Sequence, residues 1–132
     1  MPLIIADREQ NGCRVLSIAG DLDLVTAPQL ADAATALVEG GVRDLVVDAE
    51  QLDFCDSSGL TAFVRIARQL EPSGRLAIAG PQPIVRRILE VSGLVEAFVV
   101  TDSVDAAVAA LPADRAGSAT SAPPPYSGGC SS

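Results

Sequence analysis

Asp56-Ser57-Ser58-Gly59-Leu60 is the stretch on which the reading of this 132-residue chain turns. Upstream, Leu45-Val46-Val47 is a continuous apolar run, as expected of a strand covered on both faces. Residues Asp48 to Ser57 are expected to connect it to a helix. Downstream, Leu60, Phe63, Val64, Ala67 and Leu70 recur at helical spacing, with Arg65 and Arg68 outside and Pro72-Ser73-Gly74 as the stop. Backbone N–H groups and the positive end of the helix dipole collect at such a junction, so it can hold an anion. The spacing predicts Ser58 as the helix cap and Ser57 as the last residue of the loop. A serine there can have its charge switched by phosphorylation, although both serines also fit as simple caps.

Outward from the junction, strands and helices alternate. Leu3–Ala6 is a short apolar run, and Cys13, Val15, Ser17 and Ala19 alternate with Arg14, Leu16 and Ile18. Asn11-Gly12 between them predicts a β-hairpin. Thr26 is the expected N-cap of a first helix carrying Pro28, Leu30, Ala34 and Leu37, which Gly40-Gly41 ends. Leu76–Ala79 reads as a strand, and Pro83 opens a helix with Ile84, Ile88 and Leu89 that Ser92-Gly93 closes. Phe98–Val100 is the last strand. Asp102 or Ser103 caps a final helix, expected to stop at Pro112. This order predicts an α/β domain over residues 1–112. Its sheet is mixed but mostly parallel, with about five short strands, four helices and right-handed crossovers. From Ala113 to Ser132 the composition falls to Ala, Ser, Gly and Pro, which predicts a disordered tail.

Composition excludes more than it suggests. The chain has no histidine and no lysine, and all nine of its basic residues are arginine. Ser-His-Asp, Cys-His and histidine-ligated metal sites are therefore impossible, as are P-loop lysines and Schiff bases. No cofactor or metal is expected. The net charge of −8 argues against direct nucleic-acid binding and suits a protein partner with a basic surface. No apolar run spans a membrane and no secretory signal is visible, so the expected compartment is a reducing cytoplasm. The three cysteines are too few and too scattered for a disulfide framework.

Three segments in register carry a family resemblance. Asp56–Leu60, preceded by Val46-Val47-Asp48 and Leu52-Asp53-Phe54-Cys55, resembles the signature of the STAS-domain anti-sigma factor antagonists. Gly20-Asp21-Leu22-Asp23 is similar to that family's Gly-Glu-Leu-Asp segment, and Val91-Ser92-Gly93-Leu94 to its Ser-Gly-Leu element. Asp21 keeps the charge of the family's glutamate but shortens its reach. The resemblance, which covers about Leu3 to Leu111, implies a STAS fold and partner switching in transcription control, such as a stress response. The unmodified protein would bind an anti-sigma factor of the serine-kinase type and free a sigma factor. The kinase would phosphorylate the first serine of the signature, Ser57, and release the partner; a PP2C-type phosphatase would reset it. Asp21, Asp23, Asp56, Ser58 and Gly59 would shape the loop and contact the partner. The alternative is a STAS scaffold or sensor subunit that is never phosphorylated.

Other features have smaller readings. Asp21 and Asp23 superficially resemble the nucleophile motif of haloacid-dehalogenase phosphatases, but that family also needs a lysine. Cys55, next to the junction, is either a buried small apolar residue or a redox handle whose thiol pKa the helix terminus lowers. Cys130 and Pro123-Pro124-Pro125-Tyr126 belong to the tail.

Overall fold

The computed structural model describes residues 3–71, 74–93 and 98–119, the last eight by backbone alone. In chain order the elements are β1 (Ile4–Gln10), β2 (Cys13–Leu22), α1 (Ala27–Glu39), β3 (Asp44–Cys55), α2 (Ser57–Leu70), β4 (Arg75–Ala79), α3 (Pro83–Ser92), β5 (Val99–Thr101) and α4 (Val104–Ala119). The five strands lie side by side in sequence order. β1 and β2 are antiparallel, joined by Asn11 (φ 51°) and Gly12 (φ 85°). These positive φ values are what an Asn-Gly hairpin turn requires. Each later strand pairs parallel to its predecessor.

This order dictates where the helices go. Every crossover from β2 to β5 steps in the same direction, so a common handedness puts α1, α2 and α3 on one face. Leu30, Phe63, Ile66, Val85 and Leu89 accordingly pack with Leu16, Ile18, Leu45, Val47, Leu76 and Ile78 in the larger core. Phe63 is fully buried and meets Phe98 edge-on, with ring centroids 6.0 Å apart. α4 returns across the opposite face, where Val104, Ala107, Val108 and Leu111 cover Cys13, Val15, Val46 and Ala77. Leu45-Val46-Val47 is thus covered on both faces, as its composition predicts.

Two expectations change. β3 does not end at Val47; it continues to Cys55, still paired with β2. Between Ser17 and Ala19, β2 advances two residues while β3 advances three, from Asp48 to Gln51. From Gly20 to Asp21 it advances one while β3 advances two, from Leu52 to Phe54. These bulges break the alternation, so the buried positions Ala49, Leu52 and Cys55 fall at intervals of three and read as a connection in the sequence. The final helix does not stop at Pro112 but runs to Ala119. An interior proline removes one helical hydrogen bond and crowds the carbonyl four residues back, at about 3 kcal/mol, which is why Pro112 reads as a stop in the sequence. Residues 113–119 of the expected tail are thus helical, and its remainder, residues 120–132, lies outside the described residues.

Phe63 carries the larger core. Replacing it with alanine should cost about 3–5 kcal/mol of unfolding free energy, read from urea denaturation of the variant beside the parent chain.

Candidate functional site

The bulged end of β3 delivers the Asp56 junction to the C-terminal end of the parallel strands. Asp56 still donates its N–H to the Leu22 carbonyl (3.1 Å), so the β2–β3 ladder runs directly into the start of α2. Asp56, not Ser58, is the cap. Its Oδ1 accepts from the backbone N–H groups of Ser58 (2.8 Å) and Gly59 (3.2 Å). Its carbonyl accepts from Leu60 N–H (3.1 Å), the first helical bond. Ser58 cannot be the cap because its own N–H is one of those being capped. Ser57 is accordingly the first residue of α2 and not the last of the loop.

The two serines face different surroundings. Ser57 is exposed and borders a groove of about 480 Å³ between α2 and α3, lined by Leu60, Ile84, Arg87, Ile88 and Val91. Ser58 is half-buried and borders a groove of about 340 Å³ between α1 and α2, with Leu24, Pro28, Thr61 and Arg65. Gly59 is buried. A Cβ there would lie 2.6 Å from Cys55 Sγ and 2.8 Å from Leu22 side-chain carbons. Glycine lets α2 sit down on the ends of β2 and β3, so this residue packs beneath the site instead of facing outward.

The second expected segment is a clamp. Asp23 Oδ1 accepts from the N–H groups of Val25 and Thr26, each at 3.0 Å. The Thr26 hydroxyl accepts from Asp23 N–H (2.9 Å) and donates to the Asp21 carbonyl (2.7 Å). Thr26 stands at the predicted N-cap position of α1, but its hydroxyl turns back to lock the loop and caps nothing. Bonding from the Thr26 backbone N–H, above all, holds the Asp23 carboxyl below its ordinary range; partial desolvation opposes this, and the Thr26 hydroxyl and Val25 N–H add to the lowering. Asp21 contributes its carbonyl to this lock, with its side chain half-buried.

Cys55 is fully buried, and its thiol is pushed up to about 12, first by desolvation and then by the charge of Asp56. The lowering expected of a helix terminus is outweighed, because the nearest helix donors already serve Asp56. Arg86 ties α3 to the end of β5 through Asp102 Oδ1 (2.9 Å), while Arg87 stays exposed beside the Ser57 groove. Among the described residues no three His, Cys, Asp or Glu side chains gather as a metal site. No helix among them is long and apolar enough to cross a membrane.

Sequence reasoning missed the apolar residues around the serines. Leu24 and Val25 are exposed, as are Ile84 and Val91. α3 buries Val85 and Leu89, so Ile84, Ile88 and Val91 form a second stripe at spacings of four and three. That spacing was visible in the sequence. The exposure of Leu24-Val25 depends on the clamp and was not.

Comparison with known proteins bears on the same segments. The family model for the STAS domain matches residues 5–107. The BtrV protein of Bordetella bronchiseptica, a candidate anti-sigma factor antagonist, is 34% identical over 102 residues, covering 76% of this chain and 88% of its own. An anti-sigma factor antagonist from Mycobacterium paratuberculosis superposes with a TM-score of 0.78 at 27% identity, over 83% of this chain and 94% of its own. The anti-sigma factor antagonist SpoIIAA, solved in unphosphorylated form, superposes with a TM-score of 0.63 at 28% identity, covering 74% of this chain and 87% of its own. The phosphorylated form of the Bacillus protein gives 0.59 at 25% identity, covering 74% and 90%.

Two outcomes follow from this geometry. Asp56→Ala should lose about 0.5–2 kcal/mol of stability through the missing cap, measured by thermal or urea unfolding. Folded protein at pH 8 should leave Cys55 unmodified by a thiol reagent, with labelling appearing only as urea unfolds the chain, because the thiolate is the reactive form. Linkage gives the matching sign. A folded pKa raised from 9.0 to about 12 makes the stability from Cys55 fully present below pH 9 and lost as pH rises toward 12.

Proposed function

The chain belongs to the STAS domain family, and we propose that it acts as an anti-sigma factor antagonist switched by phosphorylation of Ser57. One observation carries this reading: Ser57 is the exposed first residue of α2, on the border of an apolar groove, and the cap donors beside it are already taken by Asp56. The work is partner exchange and not catalysis.

Unmodified, Ser57 is a small neutral hydroxyl that a protein surface can cover at little cost. The groove beside it offers Ile84, Ile88 and Val91 for burial. A partner seated there is an anti-sigma factor of the serine-kinase type, and its sequestration frees a sigma factor. The kinase reaches Ser57 because the hydroxyl is exposed, whereas Ser58 is half-buried. Phosphate adds about −1.5 to −2 charges near neutral pH. Two backbone N–H groups that would otherwise receive an anion at this helix start are bonded to the Asp56 carboxylate, which itself repels the phosphate. Arg87 lines the same groove, but one guanidinium offsets only part of that charge; inside an interface the remainder is left unpaired, and an uncompensated buried charge costs about 3–5 kcal/mol. The partner leaves, and a PP2C-type serine phosphatase restores the hydroxyl.

The test is incubation with the anti-sigma serine kinase of the same genome and ATP, followed by mass-spectrometric mapping. A single phosphate on Ser57, abolished in Ser57→Ala, is the expected result. A label on Ser58 or Thr61, or undiminished labelling of Ser57→Ala, would contradict it. An unlabelled chain would favour a STAS scaffold or sensor subunit instead.

A further inference from the structure

We propose that Leu24 and Val25 form an apolar prong that docks in the same anti-sigma partner, in a recess with an apolar lining and a basic rim. The proposal rests on the Ser57 reading and adds residues that would discriminate between partners. Leu24 is 75% exposed and Val25 78%, so most of two adjacent apolar residues stands in water. Isolated exposed apolar residues need no explanation. These two are neighbours, and they are held in place.

The holding is done by the clamp described above. Asp23 Oδ1 fixes the N–H groups of Val25 and Thr26, and the Asp23 carbonyl accepts from Ala27 N–H at 2.7 Å. The Thr26 hydroxyl, in a residue only 3% exposed, joins Asp23 N–H to the Asp21 carbonyl. Leu24 and Val25 thus project from a pinned loop, and a pinned loop loses little freedom when a partner grips it. Asp23 is then a positioning residue, with its carboxylate turned to its own backbone.

The prong is also continuous with the Ser57 surface. Leu24 lines the α1–α2 groove with Ser58 and Thr61, while Ser57 opens onto the α2–α3 groove. Only the first turn of α2 separates them, and a helix with its side chains is about 10 Å across. A protein that covers Ser57 meets Leu24 over that single helix. Charge selects the occupant. Asp21 and Asp23 precede the prong in the chain, Asp32 lines its groove, and Arg65 is the basic side chain there. A second copy of this acidic chain would set like charges against each other, whereas a recess rimmed by arginine or lysine would meet them.

The experiment uses the full chain and, as probe, the purified anti-sigma serine kinase from the same genome. The variants are Leu24→Ser with Val25→Ser, and Ile4→Ser as a control that removes a 67%-exposed apolar side chain from the edge strand β1. Circular dichroism and thermal unfolding first check that each variant is folded. In the double variant the KM for Ser57 phosphorylation should rise about tenfold or more with kcat within twofold, the pattern of lost uniform binding. Ile4→Ser should match the parent. A KM within twofold of the parent, or an equal rise in Ile4→Ser, overturns the proposal. So does a concentration-dependent dimer that the double variant dissolves, which would assign the prong to a second copy. A parent chain that the kinase neither binds nor labels fails the Ser57 reading itself, and the prong falls with it.

Discussion

The Asp56 carboxylate accepts the N–H groups of Ser58 and Gly59, and this pair of bonds sets where α2 begins. Because the cap sits at Asp56, Ser57 becomes the first helical residue and faces outward, while Ser58 turns toward α1. The same bonds take up N–H groups that a phosphate on Ser57 would otherwise use. One carboxylate therefore stabilises the fold locally and makes this helix start a poor resting place for a second anion. On the proposed function, fold and switch meet in that conflict: a modification easily made on an exposed serine is hard to accommodate under a partner.

The cap in turn depends on what lies beneath it. β3 stays paired with β2 through two bulges, so Leu22 and Cys55 end side by side and Asp56 N–H still joins the ladder. Gly59 then rests on that pair, where any Cβ would collide with Cys55 Sγ and Leu22. Bulges commonly re-aim a strand next to a functional site, and here they carry β3 past the end of its regular pairing to the surface that holds Ser57. Burial keeps Cys55 a packing residue with a neutral thiol.

Where local chemistry decides, the sequence was readable. Asn11-Gly12 has the residues a tight hairpin needs, Pro83 and Gly93 bracket α3, and Ser103 caps α4 by accepting from Ala106 N–H. The alternation of elements then led to the five-stranded sheet with its helices. Where tertiary pairing decides, the sequence misled. Asp and Ser are comparable N-caps, and only the end of the β2–β3 ladder selects Asp56 over Ser58. The second half of β3 has no period-two pattern because its bulges remove it. α4 passes Pro112 although an interior proline costs about 3 kcal/mol, so that local stop signal was overridden. At the site, Ser57 and its neighbours were visible as a motif. Gly59's place under the helix and the projection of Leu24 and Val25 were not, since both depend on contacts between segments distant in the chain.

The most direct measurement is a pair of calorimetric titrations of the anti-sigma serine kinase, one with the unmodified chain and one with the chain stoichiometrically phosphorylated on Ser57. A poorly paired charge in the interface predicts that phosphate weakens binding by about a hundredfold or more. Equal affinity for the two forms would contradict the charge switch at Ser57.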